Sequence, residues 1–332
     1  MTITTEMRIY GSLLGVAYGD ALGMPTEFMS RQEIEEKFPE GVLNFSPSIP
    51  TFDMPRKLMA GEITDDTINT IFVSEMLIDC KGKVEPQTYI DYLLNWVNEN
   101  PERSDYVSGP STKRAIDLIT QGIPINQSGL EGTTNGSAMK ISPIGIVYSY
   151  EQIDELIDQV EAICMPTHYN GVSISGAAAI AACVSYAIRG GNDIGKMWNI
   201  AIETAKIAEL RGPQLPSASI AKRLEKVRAD IKDKEVEYII NLLKDVYGTG
   251  VEIIETVPAV LTIITLSNLE PVRAAQIAAG IGGDTDTIGA IAGAICGAVK
   301  PCFPEADINL LFTVNDLPFE RLAEGLNSLI KQ

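Results

Sequence analysis

Two pairs of aspartates lie in stretches of the chain that contain no lysine or arginine. Asp65 and Asp66 occur in the sequence TDDT, and Asp284 and Asp286 occur in GGDTDT. Each pair is interleaved with threonines and precedes an apolar run with helical periodicity. Carboxylates that meet in a protein core repel one another, and burying each charge without a partner costs several kcal/mol. If the two pairs converge in the fold, they must either take up protons or surround a cation.

The available ligand atoms indicate which cation would fit. Carboxylate and hydroxyl oxygens, without histidine or cysteine, favour hard ions such as Mg²⁺, Mn²⁺ or Ca²⁺. Four aspartates with neighbouring threonine hydroxyls can hold two ions, which lie about 3.5–4 Å apart in two-metal sites. A third stretch without lysine or arginine, residues 9–30, adds Asp20 and Glu27 to the candidate acids.

Helix capping is the alternative interpretation of the aspartate pairs. Aspartate and threonine are favoured at helix starts, where acids gain a few tenths to about 1 kcal/mol from the helix dipole. A single TDDT sequence favours capping. Two near-copies in cation-free stretches favour a metal site, provided that they meet in space.

Other common catalytic chemistries lack their residues in this sequence. The single histidine, His168, excludes an HExxH motif and any site with several histidines. Neither a phosphate-binding GxxxxGK[ST] loop nor a GxSxG nucleophile motif occurs. Cys164 lies four residues before His168, but the intervening Pro166 disfavours a helical Cys/His pair.

Composition narrows the class of protein. The chain has 332 residues, 45% of them hydrophobic, and a net charge of −18, which disfavours binding to nucleic-acid backbones. Five scattered cysteines and an N-terminus without signal-peptide features predict a cytoplasmic protein with reduced thiols. The weakly hydrophobic segment 171–188 and the short segment 288–299 are interpreted as buried helices rather than membrane spans, so no membrane partner is expected.

The elements that must position the acids are helices. Segments such as TINTIFVSEMLI and IDYLLNWVNEN carry apolar residues at helical spacing, and alternating β-branched runs are scarce, so we predict an all-α fold. Residues 219–246 are interpreted as a solvated peripheral helical segment of a single domain spanning 1–332. Glycines at four-residue spacing predict two tightly packed helices, around either a crowded core or a site: Gly11, Gly15, Gly19 and Gly23 in the first, and Gly289, Gly293 and Gly297 in the second.

Together these motifs resemble the ADP-ribosylglycohydrolase family, whose members include the dinitrogenase-reductase-activating glycohydrolases. The similarity runs in order along most of the chain. It comprises GSLLGVAYGDALGMPTEF (11–28), GEITDDT (61–67), GPSTKRAI (109–116), TNGSAMKISPIG (134–145), THYNGVSISGAAAIAACVSYAI (167–188), ETVPAVLTII (255–264) and GGDTDTIGAIAGAICGA (282–298).

The resemblance implies a compact orthogonal bundle of helices with a central dinuclear site for Mg²⁺ or Mn²⁺. The implied metal ligands are Thr64, Asp65, Asp66, Asp284, Asp286 and Thr287. Glu27 matches a family glutamate near the metals that gates or assists the reaction. The loop residues Asn135, Gly136 and Ser137 match a loop that holds the ligand's phosphate and distal groups. His168 matches a histidine next to the ligand, against the alternative of a buried structural histidine.

This sequence departs from the family pattern at three positions. Lys140 and Thr134 replace the arginine and first glycine of a loop that reads GNGxAMR in many members, and lysine lacks the guanidinium fork. Asp105 lies near, but out of register with, an aspartate that some members have before the GPSTKR-like stretch. These changes concern the substrate more than the metals.

Three functions follow from the resemblance. The first is metal-dependent hydrolysis at C1 of an ADP-ribosyl group on a small molecule or a protein, with a water positioned by Glu27, Asp66 or Asp286. The second keeps the fold and metals but cleaves a smaller nucleoside or ribosyl glycoside. The third is a non-catalytic ADP-ribose-binding or structural protein, which the retention of the expected ligand residues disfavours.

Overall fold

The computed structural model describes residues 3–50 and 57–330, and it is built from helices. Within that part of the chain the only β-type pairing is an isolated bridge between Thr134 and Glu252. The predicted all-α fold is therefore confirmed. The helices are α1 (Thr5–Gly23), α2 (Arg31–Lys37), α3 (Asp65–Asp79), α4 (Pro86–Glu99), α5 (Pro101–Val107), α6 (Pro110–Thr120), α7 (Ile125–Ser128), α8 (Gly136–Met139), α9 (Ser142–Val147), α10 (Ile153–Cys164), α11 (Gly171–Ile188), α12 (Ile194–Ala208), α13 (Ile220–Ile231), α14 (Val236–Leu242), α15 (Ile253–Leu266), α16 (Pro271–Ile281), α17 (Thr285–Val299), α18 (Glu305–Val314) and α19 (Phe319–Leu329), with a 3₁₀ turn at Met24–Thr26 and a π turn at Leu243–Tyr247.

Helices α1 and α17 pack antiparallel with their backbones in direct contact. A Cβ atom added to Gly15 would lie 2.0 Å from the carbonyl oxygen of Gly293, and one added to Gly19 would lie 2.0 Å from that of Gly289. Any side chain at these positions would push the helices apart. The glycine spacing seen in the sequence therefore serves close packing, and it brings the C-terminal end of α1 to the N-terminal end of α17.

Two apolar helices form the centre of the core. Every residue of α11 and of α17 is buried, which confirms the interpretation of segments 171–188 and 288–299 as buried helices. Helix α11 is the one segment of the described chain that is long and apolar enough to span a membrane, and it lies inside the protein. Helices α9, α12 and α15 pack around it.

The charged segment 219–246 folds as α13, α14 and the start of the π turn. Helix α13 packs against α12 and α15 with Leu224 and Val227 buried, while Glu225 and Lys226 between them are exposed. The segment thus covers the outside of the core. The site lies where the C-terminal end of α1 meets the starts of α3 and α17.

Candidate metal centre

The two aspartate pairs lie at the starts of helices, and the fold brings those helix ends together. Asp65 and Asp66 begin α3, while Asp284 occupies the N-cap position of α17 without a side-chain capping bond and Asp286 lies in the first turn. Carboxylate oxygens of Asp66 and Asp286 lie within 4.8 Å of each other and of an oxygen of Asp20, from the last turn of α1. The condition on which the metal interpretation depended, convergence in space, is therefore met.

A second group of acids overlaps the first at Asp286. Oxygens of Glu27, Asp284 and Asp286 also lie within 4.8 Å of one another. Glu27 follows the 3₁₀ turn after α1, and the next residue, Phe28, has a left-handed φ of +61°. The Phe28 N–H donates to the Gly283 carbonyl at 2.7 Å, which holds the Glu27 segment beside the start of α17.

Asp20 ties α1 to the start of α3. The backbone N–H and the hydroxyl of Thr64 donate to it at 3.0 and 2.9 Å, and the N–H of Thr67 donates at 3.2 Å alongside the Thr67 hydroxyl. Burial raises the pKa of Asp20 to about 6, and nearby Asp286 adds to the rise while these hydrogen bonds oppose it. Asp20 was recognised in the sequence only as an acid in a cation-free stretch, without a role.

Asp66 presents a buried carboxylate oxygen that has no donor. Its Oδ2 atom accepts from the hydroxyls of Thr64 at 3.2 Å and Thr287 at 3.3 Å. Its Oδ1 atom has no hydrogen-bond partner among the described residues, although the side chain is 1% exposed. Burial, together with the charges of Asp20 and Asp286, raises the pKa of Asp66 well above its usual value. An unsatisfied oxygen surrounded by other carboxylates fits a divalent cation.

Asp284 is held by the loop that contains Asn135. The Asn135 amide donates to Asp284 Oδ2 and, at 2.8 Å, to the hydroxyl of Thr256 on α15. Gly283 has a φ of +83°, and a Cβ there would lie 2.3 Å from the Thr249 carbonyl, so glycine lets the chain turn tightly into the site. Burial and the charge of Asp286 raise the pKa of Asp284 well above its usual value.

A cavity of about 250 Å³ opens onto these acids. Of the residues assigned from the sequence, those that line it are Glu27, Asp65, Asp66, Asn135, Gly136, Asp284, Asp286 and Thr287. Residues 105–110, Thr112 and Lys113 also line it, and the Gly109 N–H donates to Asp65 Oδ2 at 3.2 Å. Lys113 is the one basic side chain among the described lining residues, and its Nζ lies 3.6 Å from Asp105 Oδ1.

Three residues assigned from the sequence lie behind the cavity wall. Thr64 directs its hydroxyl to Asp20 and Asp66, and Ser137 donates to the carbonyl oxygen of Ser173 at 3.3 Å. His168 is fully buried beneath Gly136, where a Cβ would lie 2.7 Å from its ring. Thr64 and His168 contact residues that line the cavity, and Ser137 follows the lining residue Gly136 in the chain.

The structure also places Asp105 and Lys140, whose roles the sequence left open, and two residues that the sequence did not single out. Asp105 lines the cavity, whereas Lys140 is fully buried and does not. Phe28 and Tyr106, two aromatic residues in the cavity wall, were not singled out from the sequence. No spacing pattern marks isolated aromatic residues of this kind, since their place in the wall depends on how distant segments pack.

Comparison with known proteins places the chain among glycohydrolases. A profile of the ADP-ribosylglycohydrolase family matches residues 1–328. The uncharacterized protein YegU of Escherichia coli is 33% identical over 96% of both chains. The ADP-ribosylhydrolase ARH3 of Xenopus tropicalis is 22% identical over 88% of this chain and 86% of its own. A solved ADP-ribosylglycohydrolase-related protein complex has the same fold, with a TM-score of 0.69 at 22% identity over 98% of this chain and 99% of that one.

Proposed function

The chain belongs to the ADP-ribosylglycohydrolase family, and on that basis we propose that it is a divalent-cation-dependent hydrolase of the glycosidic bond at C1 of an ADP-ribosyl group. The substrate is an ADP-ribosylated protein side chain or a small ADP-ribose derivative. The observation that supports this proposal most is the buried group of acids with the unpartnered Asp66 Oδ1 at the base of an open cavity.

The residues that would hold two Mg²⁺ or Mn²⁺ ions are those of the converging helix starts. They are Thr64, Asp65, Asp66, Asp284, Asp286 and Thr287, and Asp20 joins them by its position. When bound, the ions would orient the ribose hydroxyls and stabilise the positive charge that develops near C1 in an oxocarbenium-like transition state.

The chain's own residues perform the remaining tasks. Glu27 and Asp286, whose oxygens approach within 4.8 Å, orient the attacking water, and one of them accepts its proton as a general base. Asn135 keeps Asp284 in place through its amide. Phe28 and Tyr106 narrow the opening of the cavity, which limits competing water. Lys113 offers a positive charge to an anionic ligand.

The proposal is tested by activity against several substrates in parallel. Purified protein is assayed with ADP-ribosyl-arginine, O-acetyl-ADP-ribose and simple nucleosides, each with Mg²⁺, with Mn²⁺ and with excess EDTA. We expect turnover of an ADP-ribosyl substrate that EDTA abolishes and either metal restores. Full activity in EDTA would overturn the metal dependence. Turnover of nucleosides alone would replace the substrate, and ADP-ribose binding without any turnover would indicate a non-catalytic protein.

Two variants separate the chemistry from folding. Glu27→Gln should lower kcat by roughly 10²–10⁴-fold, the usual contribution of a general acid or base, with unchanged helical content. Asp154→Asn, at an exposed acid on α10, is the matched control for the loss of one negative charge and should retain full activity. Equal losses in both variants would contradict the role assigned to Glu27.

A further inference from the structure

A buried lysine lies at one end of a chain of hydrogen bonds that reaches the cavity wall. Lys140 is fully buried, and its Nζ lies 4.8 Å from the centre of the Tyr89 ring. The same Nζ donates to the hydroxyl oxygen of Thr167 at 2.9 Å. A lysine ammonium only donates hydrogen bonds, so this end of the chain has a fixed direction.

The chain continues through the single histidine of the protein. Thr167 Oγ1 lies 2.8 Å from His168 Nδ1, and His168 Nε2 lies 3.0 Å from Thr134 Oγ1. Thr134 Oγ1 lies in turn 2.9 Å from the hydroxyl of Ser111. Thr134 lines the cavity, and Ser111 lies in the first turn of α6 between the lining residues Pro110 and Thr112. Four contacts thus connect a core cation to Thr134 in the cavity lining and to Ser111 beside it.

The direction of each bond follows from counting protons. If Thr167 donates to Nδ1, then Nε2 carries the proton and donates to Thr134, which donates to Ser111. The hydroxyls of Thr167 and Thr134 then each accept one bond and donate one, and Ser111 accepts at the end of the chain. In the other arrangement Nδ1–H donates to Thr167, which already accepts from Lys140. The Thr167 hydroxyl proton then has no acceptor among the described residues, at a buried position where an unmade hydrogen bond is costly.

We propose that Lys140 is a positioning residue that holds His168 in the neutral Nε2–H tautomer and thereby sets the hydrogen-bond direction at Thr134 in the cavity wall. Burial and the charge of Lys140 both lower the pKa of His168 well below its usual value, which agrees with a neutral ring.

The His168 ring affects the site because the loop of residues 134–136 packs on it. Gly136 packs on that ring so closely that a Cβ would lie 2.7 Å from Cε1. Asn135, between Gly136 and Thr134, donates its amide to Asp284. The hydrogen bond from His168 to Thr134 and the hydrogen bond from Asn135 to Asp284 hold the loop in place. Lys140 therefore supports the acidic centre without touching the cavity.

The tautomer can be measured directly because the chain has one histidine. With ¹⁵N-labelled histidine, the imidazole nitrogen shifts and their two-bond couplings to the ring protons identify the protonated nitrogen. The wild-type protein at pH 7 should show one neutral species with its proton on Nε2. A proton on Nδ1, or an imidazolium, would overturn the proposal without any variant. This readout does not depend on substrate or turnover, so the failure of the proposed hydrolase activity would leave it intact.

Variants test the part played by Lys140. Lys140→Met replaces the ammonium beside the Thr167 hydroxyl with a thioether sulfur, which is a weak acceptor. The Thr167 hydroxyl proton can then turn towards the sulfur, Thr167 can accept from Nδ1–H, and the single-tautomer signature should be lost. Lys140→Arg keeps a cationic donor and should restore the Nε2–H form. Retention of a pure Nε2–H signal in Lys140→Met would refute the role of the lysine.

A second variant covers the case in which Lys140→Met does not fold. Thr167→Val removes the hydroxyl that donates to Nδ1, while Nε2–H still donates to Thr134, so the ring should stay in the Nε2–H form. The ¹⁵N shift of the unprotonated Nδ1 should move downfield because this nitrogen has lost its hydrogen-bond donor. Thr262→Val is its matched control, because it removes an equally buried threonine hydroxyl that bonds only within α15. An unchanged Nδ1 shift in Thr167→Val, or the same change of the Nδ1 shift in Thr262→Val, would contradict the proposed chain.

Discussion

Replacing Asp66 by asparagine should stabilise the metal-free protein. Asp66 lies at the centre of the acidic group, with its Oδ1 atom unpartnered and oxygens of Asp20 and Asp286 within 4.8 Å. Asparagine has nearly the same shape, and its carbonyl oxygen can still accept from the hydroxyls of Thr64 and Thr287. The variant therefore removes one buried charge from a repulsive group with little change in packing.

The size of the effect follows from the distances. Two unit charges at a separation of 4.8 Å repel by roughly 3.5 kcal/mol at an effective dielectric constant of about 20. The free energy by which the Asp66 charge destabilises the folded protein cannot exceed the cost of protonating the carboxylate. That cost is roughly 4 kcal/mol at pH 7 for a normal aspartate pKa near 3.9. We therefore expect a gain of about 2–4 kcal/mol. An unfolding entropy of roughly 0.7 kcal/mol/K for 332 residues converts this gain into a rise in Tm of about 3–6 °C.

The assay is thermal unfolding, followed by tryptophan fluorescence, in EDTA and in Mg²⁺. In EDTA, Asp66→Asn should melt above the wild type. In Mg²⁺ at about 100 times Kd, ion binding stabilises the wild type by about 2.7 kcal/mol and raises its Tm by about 4 °C. A variant with a damaged site does not gain this stabilisation. The difference in Tm should therefore shrink or change sign. Asp154→Asn makes the same charge change at an exposed position in the first turn of α10, so it should lower Tm by no more than about 1 °C and by the same amount in both buffers.

Either of two results would refute this reasoning. A lower Tm for Asp66→Asn in EDTA would mean that the Asp66 charge is compensated within the protein. A Tm difference that is the same in EDTA and in Mg²⁺ would mean that Asp66 does not take part in cation binding.

Three further predictions concern packing, pH and charge. Gly19→Ala places a Cβ 2.0 Å from the Gly289 carbonyl oxygen and should lower the free energy of unfolding in urea by about 1–3 kcal/mol. Gly280→Ala, whose Cβ would have nothing within 4 Å, should raise it by about 0.5–1 kcal/mol. Equal effects of the two variants would contradict the close contact of α1 and α17. Burial raises the pKa of Asp20 to about 6, so the folded protein binds a proton more readily than the unfolded chain. In EDTA, the free energy of unfolding should therefore rise by about 3 kcal/mol as the pH falls from 7 towards 4, and this gain should be lost as the pH rises through 6. Denaturation at each pH measures the profile, and a flat profile would contradict the raised pKa. Lys113→Met removes the one basic group of the described cavity lining. In steady-state assays it should raise KM for an ADP-ribosyl substrate more than it lowers kcat. An unchanged KM would exclude Lys113 from ligand binding.

Much of the fold was predictable because it depends on local patterns. Helical periodicity and the scarcity of β-branched alternation indicated an all-α protein, and the structure confirms it. The glycines at four-residue spacing indicated close helix packing, since they lie on one face of a helix. The sequence could not show that the α1 glycines contact those of α17, because spacing within one helix does not identify its partner.

The candidate site was predicted through its residue types rather than its geometry. Two TDDT-like sequences without nearby cations were enough to suggest metal ligands, since carboxylates in a core require a countercharge. The role of Asp20 was not predicted. Its hydrogen bonds go to Thr64 and Thr67, more than forty positions away, and no local spacing marks such a contact.

By itself the sequence determined the helical class, the family and the acids at the starts of α3 and α17, because helix periodicity, capping positions and ligand types are local properties of the chain. Only the tertiary structure decided which acids face each other, that Asp20 joins them, and that His168 lies under Gly136 as a link between Lys140 and Thr134. Those contacts join residues far apart in sequence, and their distances depend on how closely the helices pack.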